Sequence, residues 1–301
     1  MPGPRPSRRN AASAPLPKRR RGAVLPTVPS LADARAFSRR LRAWYRRNAR
    51  DLPWRNTRDA YRILVSELML QQTQVSRVLE FYARFLARFP SLASLAAARE
   101  RQVLAEWRGL GYYARARNLH RLARRVVHEE VHVYEGALPA EPAALRALPG
   151  VGAYTAGAVA SFAYEQRAAL VDTNVARVLH RVFAPHLHPK RARDLKRLWA
   201  IAEAVLPRTG RAVWTHNQAL MELGALVCTA RVKHCAKCPV RRVCRSTEDL
   251  TEDCDRELRL RSRTVDWGAP VSRRPPVVIR DQESISGIGI LSPRLLSAAT
   301  W

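Results

Sequence analysis

An all-α fold is predicted by three observations. Apolar residues recur at steps of three and four along most of residues 31–245, strand-like alternation is nearly absent, and prolines and glycines punctuate the ends of the periodic stretches. The first stretch, LADARAFSRRLRAWYRRNA, puts Leu31, Ala34, Phe37, Leu41 and Trp44 near one face, and DLPWR breaks it at Pro53. DAYRILVSELMLQQTQVSRVLEFYARFLARF reads as one further helix, opening after the potential cap Asp59 and closing at Pro90. SLASLAAARERQVLAEWRGLG and YYARARNLHRLARRVVHEEV are parted by Gly109 and Gly111, and HVYEGAL reads as a loop. EPAALRALPG then leads into LPGVGAYTAGAVAS, where Gly150 and Gly152 precede a helix of small residues. Glycines there can take conformations closed to other residues and let the N–H groups of a helix start approach an anion. An ordinary helix–turn–helix corner would use the same residues. Residues 174–183, 190–205 and 214–228 complete the helices, and no internal repeat has a fixed period.

The 301 residues carry 53 Lys and Arg against 25 Asp and Glu, a formal net charge of +28. Seven basic and no acidic residues lie in 1–31, and 246–301 holds eight basic and nine acidic, which leaves +22 on residues 32–245. A surplus on the folded body points to a polyanionic partner, because each neutralised phosphate releases counterions. Residues 1–30 are basic and rich in proline, and read as a disordered arm. Residues 246–301 read as a poorly ordered polar tail in which RPPVVIR hints at one strand. No apolar run reaches the ~18–20 residues that span a bilayer, so no membrane partner is expected. The N-terminus lacks a secretory core, so the cysteines are expected as thiols or metal ligands.

Four of the five cysteines cluster as Cys228, Cys235, Cys238 and Cys244, one pair in C-x-x-C spacing. Four thiolates within 17 residues make a metal site. Zinc and a [4Fe–4S] cluster both take four Cys, and the spacing leaves that choice open. Arg231, Lys233, Lys237, Arg241, Arg242 and Arg245 make the same loop cationic; His234 reads as part of that loop, and Cys254 as a spare thiol. Two acids stand out. Glu67 sits in the otherwise apolar ILVSELMLQQTQV, a poor place for a carboxylate unless paired or functional. Asp172, in ALVDTNVARV, stands where it could cap a helix or serve a site beside the glycine hairpin. Together the two suggest glycosidic chemistry, one acid protonating a leaving group and the other stabilising a sugar cation.

LPGVGAYTAGA, VDTNVARV and the cysteine array together resemble the helix–hairpin–helix DNA glycosylases related to endonuclease III. LPWR, SELMLQQTQV, GLGYYARARNLH and NQALMELGALVCT are similar to the adenine DNA glycosylases of the MutY type, which act on adenine opposite 8-oxoguanine. The match runs collinearly over about 32–245, with HEEVHVYEG (128–136) as an inserted-looking segment.

The resemblance implies two helical subdomains with the active-site cleft between them: a six-helix barrel with the helix–hairpin–helix over 55–160, and an iron–sulfur cluster domain built from 31–54 and 161–245. Gly150, Val151 and Gly152 would grip a DNA phosphate through backbone amides. Tyr154 stands where lyase-active relatives carry a Schiff-base lysine, which implies a monofunctional enzyme. Glu67 would protonate adenine at N7, and Asp172 would stabilise the sugar cation, with Asn174 and Tyr154 in support. Gln72 and Tyr112 would wedge into the DNA stack; Trp54, Arg55, Leu70, Val75 and Gln218 would form the adenine pocket. Cys228, Cys235, Cys238 and Cys244 would hold [4Fe–4S]. The implied partner is duplex DNA containing A·8-oxoguanine or A·G. The enzyme is expected as a monomer in the cytoplasm of a bacterium, or in the nucleus or an organelle of a eukaryote. The family's β-rich C-terminal module that reads 8-oxoguanine is not legible in 246–301. Competing readings are endonuclease III-like action, T·G mismatch repair, and a catalytically silent DNA-binding metalloprotein.

Overall fold

The structure is a computed structural model that describes residues 28–246. The arm expected over 1–30 and the tail expected over 246–301 therefore lie almost wholly outside the described residues, as does Cys254. Twelve α-helices occupy the described residues: α1 (Leu31–Asn48), α2 (Ala60–Leu70), α3 (Val75–Arg88), α4 (Leu92–Ala97), α5 (Glu100–Glu106), α6 (Ala114–Arg124), α7 (Val131–Tyr134), α8 (Pro142–Arg146), α9 (Ala153–Tyr164), α10 (Thr173–Phe183), α11 (Ala192–Val205) and α12 (Gly210–Leu226). Among these residues the only β-type pairing is a single antiparallel bridge between Cys228 and Lys233. No described helix is long and apolar enough to cross a membrane.

Local chemistry sets many of the boundaries. Ser30, Asp59 and Asp172 each accept a backbone N–H of the helix they precede, at Asp33, Arg62 and Val175. Ser91 and Ser94 form a reciprocal capping box at the start of α4. In α1, Ala34, Phe37 and Leu41 face the core as their spacing requires, but Leu31, at the very first turn, is exposed, and Tyr45 is buried beside the half-buried Trp44.

Three stretches depart from the sequence reading. The single helix expected from Asp59 to Pro90 is two, α2 and α3, separated by a turn at Gln71–Gln74 in which Gln72 takes φ +56°. Nothing local breaks it. The last carbonyls of α2 are instead taken by the Arg115 guanidinium of α6, a tertiary partner invisible to periodicity. The stretch 91–106 is likewise interrupted, at Ala98–Arg99 between α4 and α5. HVYEGAL is not all loop: a π-helical turn at Arg125–Glu129 prolongs α6, and α7 follows.

The core positions the site through α9. From Thr155 to Phe162 every residue of α9 is buried, as befits a helix surrounded on all sides. It packs against α2, α8 and α12, while α12 also packs on α1 and α10. Small residues allow this. A Cβ on Gly157 would stand 2.1 Å from the Ala169 carbonyl oxygen. Asn217 of α12 donates to Ser161 Oγ and to the Ala168 carbonyl at 2.9 Å each, so these buried polar groups are paired.

Gly157→Ala should therefore force α9 away from residues 168–170 and destabilise the protein by about 1–3 kcal/mol, the usual cost of overpacking. A urea unfolding curve with an unchanged midpoint would mean that the approach of α9 is not tight.

Candidate active site

A cavity of about 400 Å³ opens where the turn after α2, the start of α10 and the middle of α12 meet. Of the residues singled out from sequence, Trp54, Arg55, Glu67, Leu70, Gln72, Val75, Tyr154, Asp172, Asn174 and Gln218 all line it. The remaining non-metal candidates lie outside. Tyr112 is 61% exposed at φ +51°. Gly150, Val151 and Gly152 form the turn between α8 and α9, with Gly150 at φ +77°. A Cβ on Gly150 would also strike Asn118 at 2.6 Å. No side chain caps α9 at Gly152, so its first N–H groups lack a side-chain acceptor.

Glu67 is a buried carboxyl in the cavity wall. Only 3% of it is exposed, between Ile63, Leu64 and Leu68 of its own helix, and its Oε2 accepts from Tyr154 Oη at 2.7 Å. Burial pushes its pKa up to about 7, against the opposing hydrogen bond from Tyr154; the Asp172 carboxylate adds to the rise and Arg55 counters it. The carboxyl is thus poised to hold and give up a proton near neutrality. Tyr154 is driven well above the ordinary phenol range by burial and by the two carboxylates, so it stays a neutral donor.

Asp172 both caps α10 and faces this cavity. Its Oδ1 accepts from Val175 N at 2.7 Å and its Oδ2 from Asn174 Nδ2 at 3.3 Å. Burial raises its pKa, but the Val175 N–H, the Asn174 donors and Arg177 all favour the charged form. Arg177 continues the chain of contacts: it donates to Asn174 Oδ1 (2.7 Å), the Gly224 carbonyl (2.8 Å) and the Cys228 carbonyl (2.9 Å). The start of α10 is thereby tied to the first cysteine.

The sequence reading missed the polar floor of the cavity. Glu222 of α12 is fully buried and accepts from Arg50 N (2.9 Å), Arg50 Nε (2.9 Å), Arg50 Nη2 (2.8 Å) and Arg55 Nη2 (2.8 Å). Burial alone would raise its pKa, but the hydrogen bonds from Arg50 and Arg55 outweigh burial and hold it at about 2. A signal existed, since Glu222 lies in NQALMELGALVCT, as apolar a helix as the one that drew attention to Glu67. Gln218 Oε1 accepts from Arg55 Nε at 3.0 Å, which leaves its amide NH₂ for the cavity. Trp54 packs edge-on against Tyr82 with centroids 5.4 Å apart, so it serves the core as well as the cavity wall.

Cys228, Cys235, Cys238 and Cys244 line one pocket with Val178, Leu223, Val227 and Val240. Arg181 Nη1 donates to Cys228 Sγ at 3.3 Å. Among the described residues no three His, Cys, Asp or Glu side chains group closely enough to hold a single metal ion.

Residues 65–202 match the HhH-GPD superfamily base excision DNA repair protein family. The adenine DNA glycosylase of Mus musculus is 44% identical over 227 residues, covering 72% of this chain and 42% of the relative. That of Mycobacterium tuberculosis is 42% identical over 219 residues, covering 72% of this chain and 70% of the relative. The chain thus spans less than half the length of the mouse protein. Among solved structures, a thermostable thymine-DNA glycosylase superposes with a TM-score of 0.65 at 31% identity, covering 72% of this chain and 98% of that one. An endonuclease III–DNA complex gives 0.61 at 22% identity, covering 75% and 100%, a likeness of fold.

Burial of Glu67 has a measurable consequence. A folded-state value near 7 against an ordinary 4.5 means the fold loses stability as pH rises between the two, by about 3 kcal/mol once Glu67 is ionised. Glu67→Gln should escape this loss. Its unfolding free energy relative to wild type should be about 2.5 kcal/mol larger, hence more stabilising, at pH 8 than at pH 5. Denaturant titrations giving the same difference at both pH values would show that Glu67 titrates normally.

Proposed function

Since the chain belongs to the adenine DNA glycosylases of the HhH-GPD superfamily, we propose that it hydrolyses the N-glycosidic bond of adenine mispaired with 8-oxoguanine, or with guanine, in duplex DNA. The observation that carries this reading is the buried Glu67, protonated near pH 7 and hydrogen-bonded to Tyr154, in one cavity with Asp172.

Adenine swung out of the duplex would enter between Trp54, Leu70 and Val75, with Arg55 and Gln218 at its polar edge above the Arg50–Glu222 pair. Gln72 and Tyr112 fill the vacated stack, offsetting part of the cost of extrusion. The Glu67 carboxylic acid gives its proton to N7, so the purine leaves as a neutral base. The Asp172 carboxylate, held by Asn174 and the Val175 N–H, stabilises the positive charge on the sugar until water adds at C1′. The products are free adenine and an abasic site. Tyr154 has no amine, so no Schiff base forms at that position and the strand stays whole. The Gly150-Val151-Gly152 turn, with the uncapped start of α9, offers N–H groups to a backbone phosphate. On this reading the cavity is the cleft between a helical barrel of 55–160 and a cluster domain of 31–54 with 161–245.

Cys228, Cys235, Cys238 and Cys244 would hold a [4Fe–4S] cluster. The fit rests on four thiols around one apolar-walled pocket and an arginine on the first sulfur. Zinc at ~2.3 Å from each sulfur would draw four thiolates closer than a cubane does. The cluster would cross-link residues 228–244 and present their basic side chains to DNA.

Thymine release from T·G is the second reading, favoured by the likeness to the thymine-DNA glycosylase. One assay separates the two. Duplexes with A·8-oxoguanine, A·G, T·G or thymine glycol are incubated with the protein and then treated with alkali. Breaks should appear at the adenine strands alone and only after alkali; breaks at T·G alone would reverse the assignment. Glu67→Gln should lower single-turnover adenine release by at least ~10²-fold, the scale of general acid catalysis, while duplex affinity stays near wild type. Near-normal turnover would remove Glu67 from the mechanism. Anaerobically purified protein should be yellow-brown with about four irons per chain, as one cubane on four thiolates requires. Colourless protein with stoichiometric zinc, made with ample iron, would overturn the cluster.

A further inference from the structure

Arg115, the second residue of α6, is 8% exposed, and its side-chain hydrogen bonds go to oxygens at the end of α2 and in the two loops that follow α2 and precede α6. On one side, Nη1 donates to the carbonyls of Leu68 (2.7 Å), Met69 (2.9 Å) and Gln71 (2.6 Å), and both Nη atoms lie 3.4 Å from Thr73 Oγ1. On the other, Nη2 donates to Gly111 O (3.0 Å) and Leu110 O (3.4 Å), and Nε reaches Tyr112 O at 3.5 Å. The guanidinium also lies 5.4 Å from the centre of the Tyr112 ring and 5.6 Å from that of Trp107, whose Nε1 donates to Gly111 O. No carboxylate is among these partners. The charge is met by carbonyl dipoles, including those at the negative end of α2.

The two gripped loops carry Gln72 and Tyr112, both non-glycine residues in the left-handed region, at φ +56° and +51°. Backbone in that region persists only where its surroundings hold it. We propose that Arg115 is a positioning residue that yokes Gln72 and Tyr112 at a fixed separation, so that both enter the DNA stack together. The proposal rests on the base-extruding reading of those two residues. The planar fork matters: one guanidinium reaches carbonyls on both sides at once, which the single ammonium of lysine cannot do. The sequence offered no pointer, because Arg115 lies in the Arg-rich ARARNLHRLARR among arginines that are mostly exposed.

The test uses the full chain and Arg115→Lys. Enzyme in excess is mixed with duplexes in which the target adenine faces 8-oxoguanine or an abasic site, where there is no pair to break. A third duplex carries 2-aminopurine at the target, whose emission rises on unstacking whether or not it is cleaved. Arg115→Lys should slow release from A·8-oxoguanine roughly tenfold or more, lose much of the emission rise, and slow release opposite the abasic site by less than about threefold. Combined with Tyr112→Ala, it should add little to the loss from Tyr112→Ala alone, as expected of groups acting as a unit. If Arg115→Lys does not fold, Gly111→Ala serves instead. Its Cβ would meet nothing within 4 Å, yet its φ of +79° is disfavoured with a side chain, so it displaces one gripped carbonyl. The same selective loss is expected from it. Equal losses on both duplexes with unchanged emission, additive losses in the double variant, or wild-type rates would each overturn the yoke. Wild-type protein that releases no adenine would overturn the enzymatic reading instead, and the emission signal would still report on Arg115.

Discussion

The packing of α9 against α2 is the constraint on which the site depends. Because α9 is built of small residues, with Gly157 against the Ala169 carbonyl, its first turn reaches α2 and sets Tyr154 Oη on Glu67. The same approach removes water from Glu67. A carboxyl in that position is a neutral acid near pH 7 because its only hydrogen-bond donor among the described residues is a neutral phenol.

Three acids share the cavity, Glu67 and Glu222 buried and Asp172 half-buried, and their neighbours differentiate them. Glu222 meets two guanidiniums and is fixed as a carboxylate. Asp172 meets a helix N–H, an amide and, farther off, Arg177, which oppose but do not cancel the rise that burial gives its pKa. Glu67 has Tyr154 as its one hydrogen-bond donor among the described residues, and burial leaves it partly protonated near pH 7. Pairs of titratable groups driven apart by environment mark the division between acid and electrostatic partner. Arg55 joins two of the three, since it pairs with Glu222, bonds Gln218 and also opposes the rise at Glu67.

Much of this was legible in the chain itself. Period and punctuation gave the helices, and Glu67 broke a local expectation, while the glycine hairpin and Asp172 were each also compatible with ordinary helix-start roles. Asp172 satisfies both readings the sequence allowed, cap and cavity residue. What stayed hidden depends on partners distant in sequence. The end of α2 is set by Arg115, more than forty residues away, so QQTQ looked helical. Glu222 is paired with arginines from the loop after α1, and apolar neighbours alone did not separate it from Glu67. Gln72 and Tyr112 were recognised from their motifs, but their left-handed backbone follows no residue preference and is a product of the tertiary clamp.

The central claim is that burial raises Glu67 far enough that a substantial fraction of it carries a proton near pH 7. Infrared difference spectra of wild type against Glu67→Gln, recorded from pH 4 to 9, isolate the carboxylic C=O band of this one side chain. The account predicts that the band persists at pH 6 and disappears with a midpoint about 7. A midpoint near 4.5, or no protonated band at pH 6, would contradict it.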